Sequence, residues 1–369
     1  MNAIFLRKVV LRGLGLFIAV NLVFASLPPR VGDVSLYNRI FPGRMRFPYG
    51  ENPSESYNLS LFDLDAMFAS HVISDGTKPA NEYRVVLIGD SALWGWLLRP
   101  EETLAGQLDA AGQTTCDGQK VHVYNLGYPE ISLTKDLLIL DQAMRYQPDL
   151  VIWLVTLKAF LVDKQLTLPF VTHNSARVDS LITRFDLPLD PAAPDLVRPG
   201  FWDRFLLSQR RPLADLARLQ LYGILWAATG TDQVYPADYQ HVRMDFEADA
   251  TFDGMQPPIL DESTLALPLL EASLRMAGET PVILVNEPIL ISSGKNSDIR
   301  YNSYYPHWAY DQYRQMLAEK AAAGGWNYLD VWNLVPASEF TNTPFHMTPQ
   351  GESLLAAQVK LAIQHHVCP

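Results

Sequence analysis

The chain has 369 residues, 48% of them hydrophobic, which is ample for a core in one large domain or two. Lysine and arginine total 29 against 40 acidic residues, a net charge of −11. Nucleic acid asks for a basic patch, so that partner class is excluded. No internal repeat or low-complexity tract is present.

Arg7, Lys8 and Arg12 precede an apolar run over 13–27 broken only by Asn21 and Ser26. Counted from Val9, with Arg12 tolerated, the run is of bilayer length. Two readings fit residues 1–30: a membrane anchor, or a signal peptide cut near the small residues around Val23-Phe24-Ala25. The positive flank puts the remainder of the chain outside the membrane in either case. A buried N-terminal helix of a soluble protein is the third reading. The two cysteines, Cys116 and Cys368, could pair in an oxidising compartment, but their separation leaves this open.

Residues 31–83 read as a linker and lead-in, punctuated by Pro42, Pro48 and Pro53, with a short helix within 58–71. Strands are then expected at 85–88, 121–125, 150–155, 282–285 and 328–332. Helices are expected at about 103–111, 133–146, 308–323 and 349–365, the last opening on Pro349 at a favourable first-turn position. Strands that are apolar throughout and alternate with helices predict a parallel sheet covered on both faces, a three-layer α/β/α sandwich with a flavodoxin-like sheet. Between the third and fourth strands lies an insertion, about 160–276, with helical character over 206–228. It reads as a cap over the catalytic edge, or as a separate domain.

Ligands of such sheets bind outside the carboxyl ends of the strands. Ser91, Gly127, Thr156 and Asn286 all follow strands there. Ser91 sits in Gly89-Asp90-Ser91, where a strand ends and a helix begins, so unpaired N–H groups at the helix start would meet an oxyanion formed by its attack. The plainer reading is that Asp90 or Ser91 only caps a helix. A serine needs a base, usually histidine. His346, in Pro344-Phe345-His346-Met347-Thr348-Pro349-Gln350-Gly351, lies on a loop at the same edge. His365 and His366, on the last helix, have no such placement.

These blocks resemble those of the SGNH/GDSL hydrolases: Gly-Asp-Ser after the first strand, Asn125-Leu126-Gly127 after the second, and His-Met-Thr-Pro-Gln-Gly before the last helix. The resemblance spans about 84–366 around the insertion. It implies Ser91 as nucleophile, His346 as base, and the N–H groups of Ser91 and Gly127 as oxyanion donors. The layout also resembles the exported O-acyltransferase branch, for which an acyl-donor protein in the membrane would be a further partner. Two blocks depart. The family's Gly-x-Asn-Asp is Val155-Thr156-Leu157-Lys158 here, so Thr156 or Asn286 becomes the candidate second donor. The aspartate three residues before the histidine is Thr343, so Asn342 or Asp330 becomes the candidate group orienting the imidazole. These departures also admit a binding module that has lost catalysis.

Residues 296–314 are dense in aromatic and hydrogen-bonding groups, and Glu287, Arg300, Tyr301 and Asn302 are candidates for contacting a glycan or other acylated substrate. Trp94 and Trp96 are expected to pack over the Ser91 turn. Neither a metal-ligand spacing nor a phosphate-binding glycine loop is visible, so no cofactor is expected.

Overall fold

The computed structural model describes residues 3–27, 36–41, 43–49, 62–229 and 240–368. Pro42 and Pro53 of the lead-in lie outside them. In chain order the helices and strands are α1 (Ala3–Ser26), α2 (Leu36–Ile40), α3 (Leu64–Ser70), β1 (Glu82–Ile88), α4 (Ser91–Trp94), α5 (Leu104–Ala110), β2 (Lys120–Asn125), α6 (Leu133–Ala143), β3 (Leu150–Val155), α7 (Pro169–His173), α8 (Ser175–Phe185), α9 (Arg210–Thr229), α10 (Leu267–Ala277), β4 (Val282–Asn286), α11 (His307–Gly324), β5 (Asn327–Asp330) and α12 (Pro349–Val367).

The five strands form one parallel sheet in the order β2-β1-β3-β4-β5. Successive residues of a strand point to opposite faces. Val86, Val151, Trp153 and Leu284 therefore join a core beneath α3, α6, α8, α10 and α11. Val85, Leu87, Ile152 and Val285 join the opposite core beneath α5 and α12. Both faces are buried, and this explains the near-continuous apolar runs of the strands. The result is the three-layer α/β/α sandwich expected from the sequence.

The segment read as an insertion is not a body apart. Phe170, Val178, Leu181, Leu196 and Leu260 share the core beneath α6, and α10 is the crossover helix that returns the chain to β4. Cys116 and Cys368 are joined, with Cα atoms 5.2 Å apart, tying the loop before β2 to the end of α12. α1 is long and apolar enough to cross a membrane, and almost all of its surface is exposed.

α12 packs on α5, and Glu352 in its first turn is buried there, accepting from the Leu104 backbone N–H. Burial pushes this carboxyl up to about 8. A raised acid binds its proton more tightly in the folded state, so stability falls as pH climbs from the unfolded value toward 8. Glu352→Gln removes that titration and keeps an acceptor. We expect it to lose less melting temperature between pH 5 and pH 8 than the wild type, as read by calorimetry.

Candidate active site

Ser91 is the first residue of α4, at the carboxyl end of β1. Asp90 is the N-cap and accepts from the Ala92 N–H at 2.8 Å, so the cap and the exposed serine are neighbours with separate tasks. Burial raises the Asp90 carboxyl to about 6, against the pull of the Lys135 ammonium. α4 has only four residues, so the expected helix dipole is short, and local N–H groups matter more than the helix. It ends at Gly95, whose φ of +86° suits glycine, and where a Cβ would meet Thr103 Cγ2 at 2.3 Å.

His346 is 255 positions from Ser91, and its Nε2 lies 2.8 Å from Ser91 Oγ. The imidazole is held from below. Its Nδ1 lies 2.8 Å from Asn342 Oδ1, which as an acceptor makes Nδ1 the protonated nitrogen and leaves Nε2 to accept the serine proton. Thr343, where the resembled family has aspartate, instead accepts from the His346 and Phe345 N–H groups at 3.1 and 3.3 Å and shapes the loop. Thr341 closes it from the other side, its N–H reaching the His346 carbonyl at 2.8 Å. Trp96 stacks on the imidazole at 5.7 Å between centroids. Burial without a facing carboxylate lowers the His346 pKa to about 3.

The candidate oxyanion donors separate. No acceptor is bonded to the Ser91 N–H among the described residues. Gly127 is pressed so closely on the Ser91 turn that a Cβ would meet Trp94 N at 2.6 Å, but its N–H donates to Asn125 Oδ1 at 3.0 Å. It must leave that partner before it can serve an oxyanion. Thr156 is buried and paired with the Tyr305 hydroxyl at 2.9 Å. Asn286 is fully buried too, donating to Asp330 and accepting from Tyr310 and Tyr313. Neither replaces the missing asparagine of the third block.

Other expected residues are drawn into the scaffold. Asp330 binds Arg314 through Nε and Nη2 at 3.1 and 2.7 Å, so it does not orient the histidine. Arg300 donates to the carbonyls of Asp249, Thr251, Asn302 and Ser303, which makes it a loop fastener rather than a substrate contact. Asn302 is wholly buried and caps the turn at Tyr304 and Tyr305. The Tyr301 hydroxyl is given to Asp311 at 2.8 Å, and its ring stacks on His307. Glu287 is buried, and burial, reinforced by Asp90 and Asp136, holds its carboxyl well above the usual range, which makes it part of the core rather than a substrate contact.

Two residues outside the expected set brace the site. Lys135 on α6 is fully buried; its Nζ donates to the carbonyls of Gly89 and Tyr128 at 2.6 and 3.3 Å and lies 2.5 Å from Asp136 Oδ1. It thus clips the serine loop to the Gly127 loop. The adjacent Lys-Asp pair just before the apolar run Leu137 to Leu140 was the available signal. Arg46 of the lead-in is also buried and donates to the carbonyls of Trp94, Gly95 and Leu98, with its guanidinium 4.3 Å over the Trp94 ring. Nothing in its local sequence separates it from a surface arginine.

The sheet order and the Ser-His pair give a three-layer α/β/α protein with a serine and a histidine in contact at one sheet edge, as the SGNH/GDSL resemblance of its sequence blocks implies. No family model and no curated protein matches the sequence. Among solved structures, the fold is similar to a lipolytic protein of the G-D-S-L family from Veillonella parvula, at 10% identity over 75% of this chain and 95% of that one, with a TM-score of 0.36. It is similar to a carbohydrate acetylesterase from Sinorhizobium meliloti at 12% identity over 76% and 97%, TM-score 0.35. A third is an aryl esterase from M. smegmatis at 13% identity over 76% and 98%, TM-score 0.34. These likenesses are too slight to carry a substrate or an activity to this chain.

Asn342→Asp places a carboxylate on the imidazole and favours its charged form, raising the His346 pKa by about one to three units. The acidic limb of kcat/KM for a simple ester should move to higher pH by that amount, as read from a pH–rate profile. Lys135→Met leaves two carbonyls and Asp136 buried without their cation, and about 3–5 kcal/mol of stability should be lost in urea denaturation.

Proposed function

We propose that this protein is a serine esterase that cleaves O-acyl esters, held by α1 at the outer side of a membrane. The observation that carries the reading is the chain of contacts from Ser91 Oγ to His346 Nε2 and from Nδ1 to Asn342 Oδ1, both at 2.8 Å. Ser91 attacks the acyl carbonyl while its proton passes to Nε2. The Asn342 carbonyl steadies the tautomer through its dipole, where a carboxylate would add charge. The Ser91 N–H faces the oxyanion, joined by the Gly127 N–H if it turns from Asn125. His346 then protonates the departing alkoxide.

The acyl-enzyme passes its group either to water, as in an esterase, or to a hydroxyl of an extracellular polysaccharide, as in an O-acyltransferase supplied by an acyl-donor protein in the membrane. An O-acylated glycan or lipid is the substrate class that suits either outcome. The binding-only reading loses its motive at the histidine, where Asn342 stands in for the absent aspartate. The external location draws support from the positive flank before α1, the apolar α1 itself, and a disulfide, which persists in oxidising compartments.

Ser91→Ala and His346→Ala should each lower hydrolysis of a p-nitrophenyl acyl ester by about a thousandfold or more. A fluorophosphonate should label the wild type and not Ser91→Ala. Labelling that survives Ser91→Ala sinks the assignment. Adding a polysaccharide acceptor to an acetyl ester separates the two fates of the acyl group, because transfer exceeding hydrolysis identifies an acyltransferase.

A further inference from the structure

The segment from Phe201 to α9 carries apolar groups where a soluble protein would carry polar ones. Trp202 is 71% exposed, Leu221 69% and Leu225 58%. Phe201, Trp202 and Phe205 pack on one another with centroids 4.9–5.6 Å apart, and the outer two rings face outward. On α9 the exposed Leu221 and Leu225 are four residues apart, on one face of the helix. α2 packs against α9 and leaves Leu36 and Ile40 exposed as well. Large apolar side chains left exposed together along one segment of a soluble surface mark an interaction site.

One hydrogen bond sets the depth of this patch. The Leu207 N–H donates to Asn21 Oδ1 at 3.1 Å, and Asn21, buried in this contact, keeps its amide on the Phe17 carbonyl. Asn21 lies five residues before the end of α1, about 8 Å along the axis at 1.5 Å per residue. If α1 spans a bilayer from Val9, its end meets the outer edge of the hydrocarbon and Leu207 lies about 8 Å inside that edge, the depth to which an interfacial element buries its apolar face. Trp202, on a segment packed against α1, lies in the zone where tryptophan concentrates. Arg204, Arg210 and Arg211 are exposed along the same segment of an otherwise acidic chain, which suits anionic headgroups, while Arg218 is paired with Asp215.

We propose that Phe201–Phe205 and the Leu221/Leu225 face of α9 form a second membrane contact, in which the outer leaflet of the bilayer that holds α1 covers this patch. The inference rests on the anchored reading of α1. Its occupant is the lipid surface, because the depth is fixed by α1 and the mixture of tryptophan, leucine and arginine is that of an interfacial helix. A rigid two-point attachment would fix the orientation of the domain on the membrane, where α1 alone would leave it free to swing.

The test uses the full-length chain with its disulfide intact, so that one added cysteine is the only free thiol. Leu225→Cys and, as control, Glu319→Cys on α11 carry an environment-sensitive fluorophore. The protein is reconstituted into vesicles of zwitterionic and anionic lipid bearing a shallow nitroxide. At least twofold quenching at position 225, with none at 319, is the expected result. Equal quenching at the two positions overturns the second contact. Flotation of the protein with the vesicles reports α1 separately: a chain that floats without quenching at 225 keeps its anchor and loses this proposal, and one that does not float loses the anchor itself. A label at 225 that is shielded without lipid, in a concentration-dependent way, assigns the face to a second copy and also overturns it.

Discussion

A buried ammonium holds the catalytic edge together. Lys135 has no access to water, so its three protons must be met inside the protein, and they are met by the carbonyls of Gly89 and Tyr128 and by Asp136. Those two carbonyls belong to the turns after β1 and β2, so satisfying one charge fixes the spacing of the serine turn and the Gly127 turn. Asp136 is in turn held by the Trp153 indole N–H of β3 at 3.0 Å. Asp90 and Glu287 lie near enough to feel this charge, which restrains the rise of their carboxyls on burial. Arg46 repeats the device on the other side of the turn, with three carbonyls in its reach. Ser91 therefore stands on a turn gripped from two directions by buried cations.

Much of this was legible in the sequence, for reasons that can be named. The strands are short apolar runs bounded by turn residues, and β3 occupies the residues read for it, 150–155. Ser91 and His346 stood out because each lies at one sheet edge, after a strand or before a capped helix, and Asn342 because it neighbours the place where the resembled family has aspartate. What the sequence did not show is which polar residues had already spent their hydrogen bonds. Arg300, Tyr301 and Asn302 look the same whether they face a sugar or fasten a loop, and only their partners, up to 51 positions away, tell the two apart. Gly127 was placed correctly beside the serine, while the engagement of its N–H by Asn125 depends on a side chain two residues back and is invisible to spacing alone.

The His346 imidazole rests in an uncharged setting. Where a carboxylate faces the imidazole, charge separation in the transition state is compensated across one hydrogen bond. Here the facing group is the Asn342 amide, and burial penalises the imidazolium outright. The neutral pair is thus the favoured resting state over a wide pH range. The cost falls on any step that creates charge, and the Trp96 ring, stacked 16° from parallel with the imidazole, offers its π face to the imidazolium.

His346 and one half of the disulfide both lie within residues 346–368. α12 begins three residues after His346 and ends at the residue before Cys368, so the disulfide ties the far end of this helix to the loop before β2. Reducing the bond would free that end of the helix whose other end adjoins the His346 loop. A sulfur pair remote from Ser91 thereby bears on how firmly the imidazole is held.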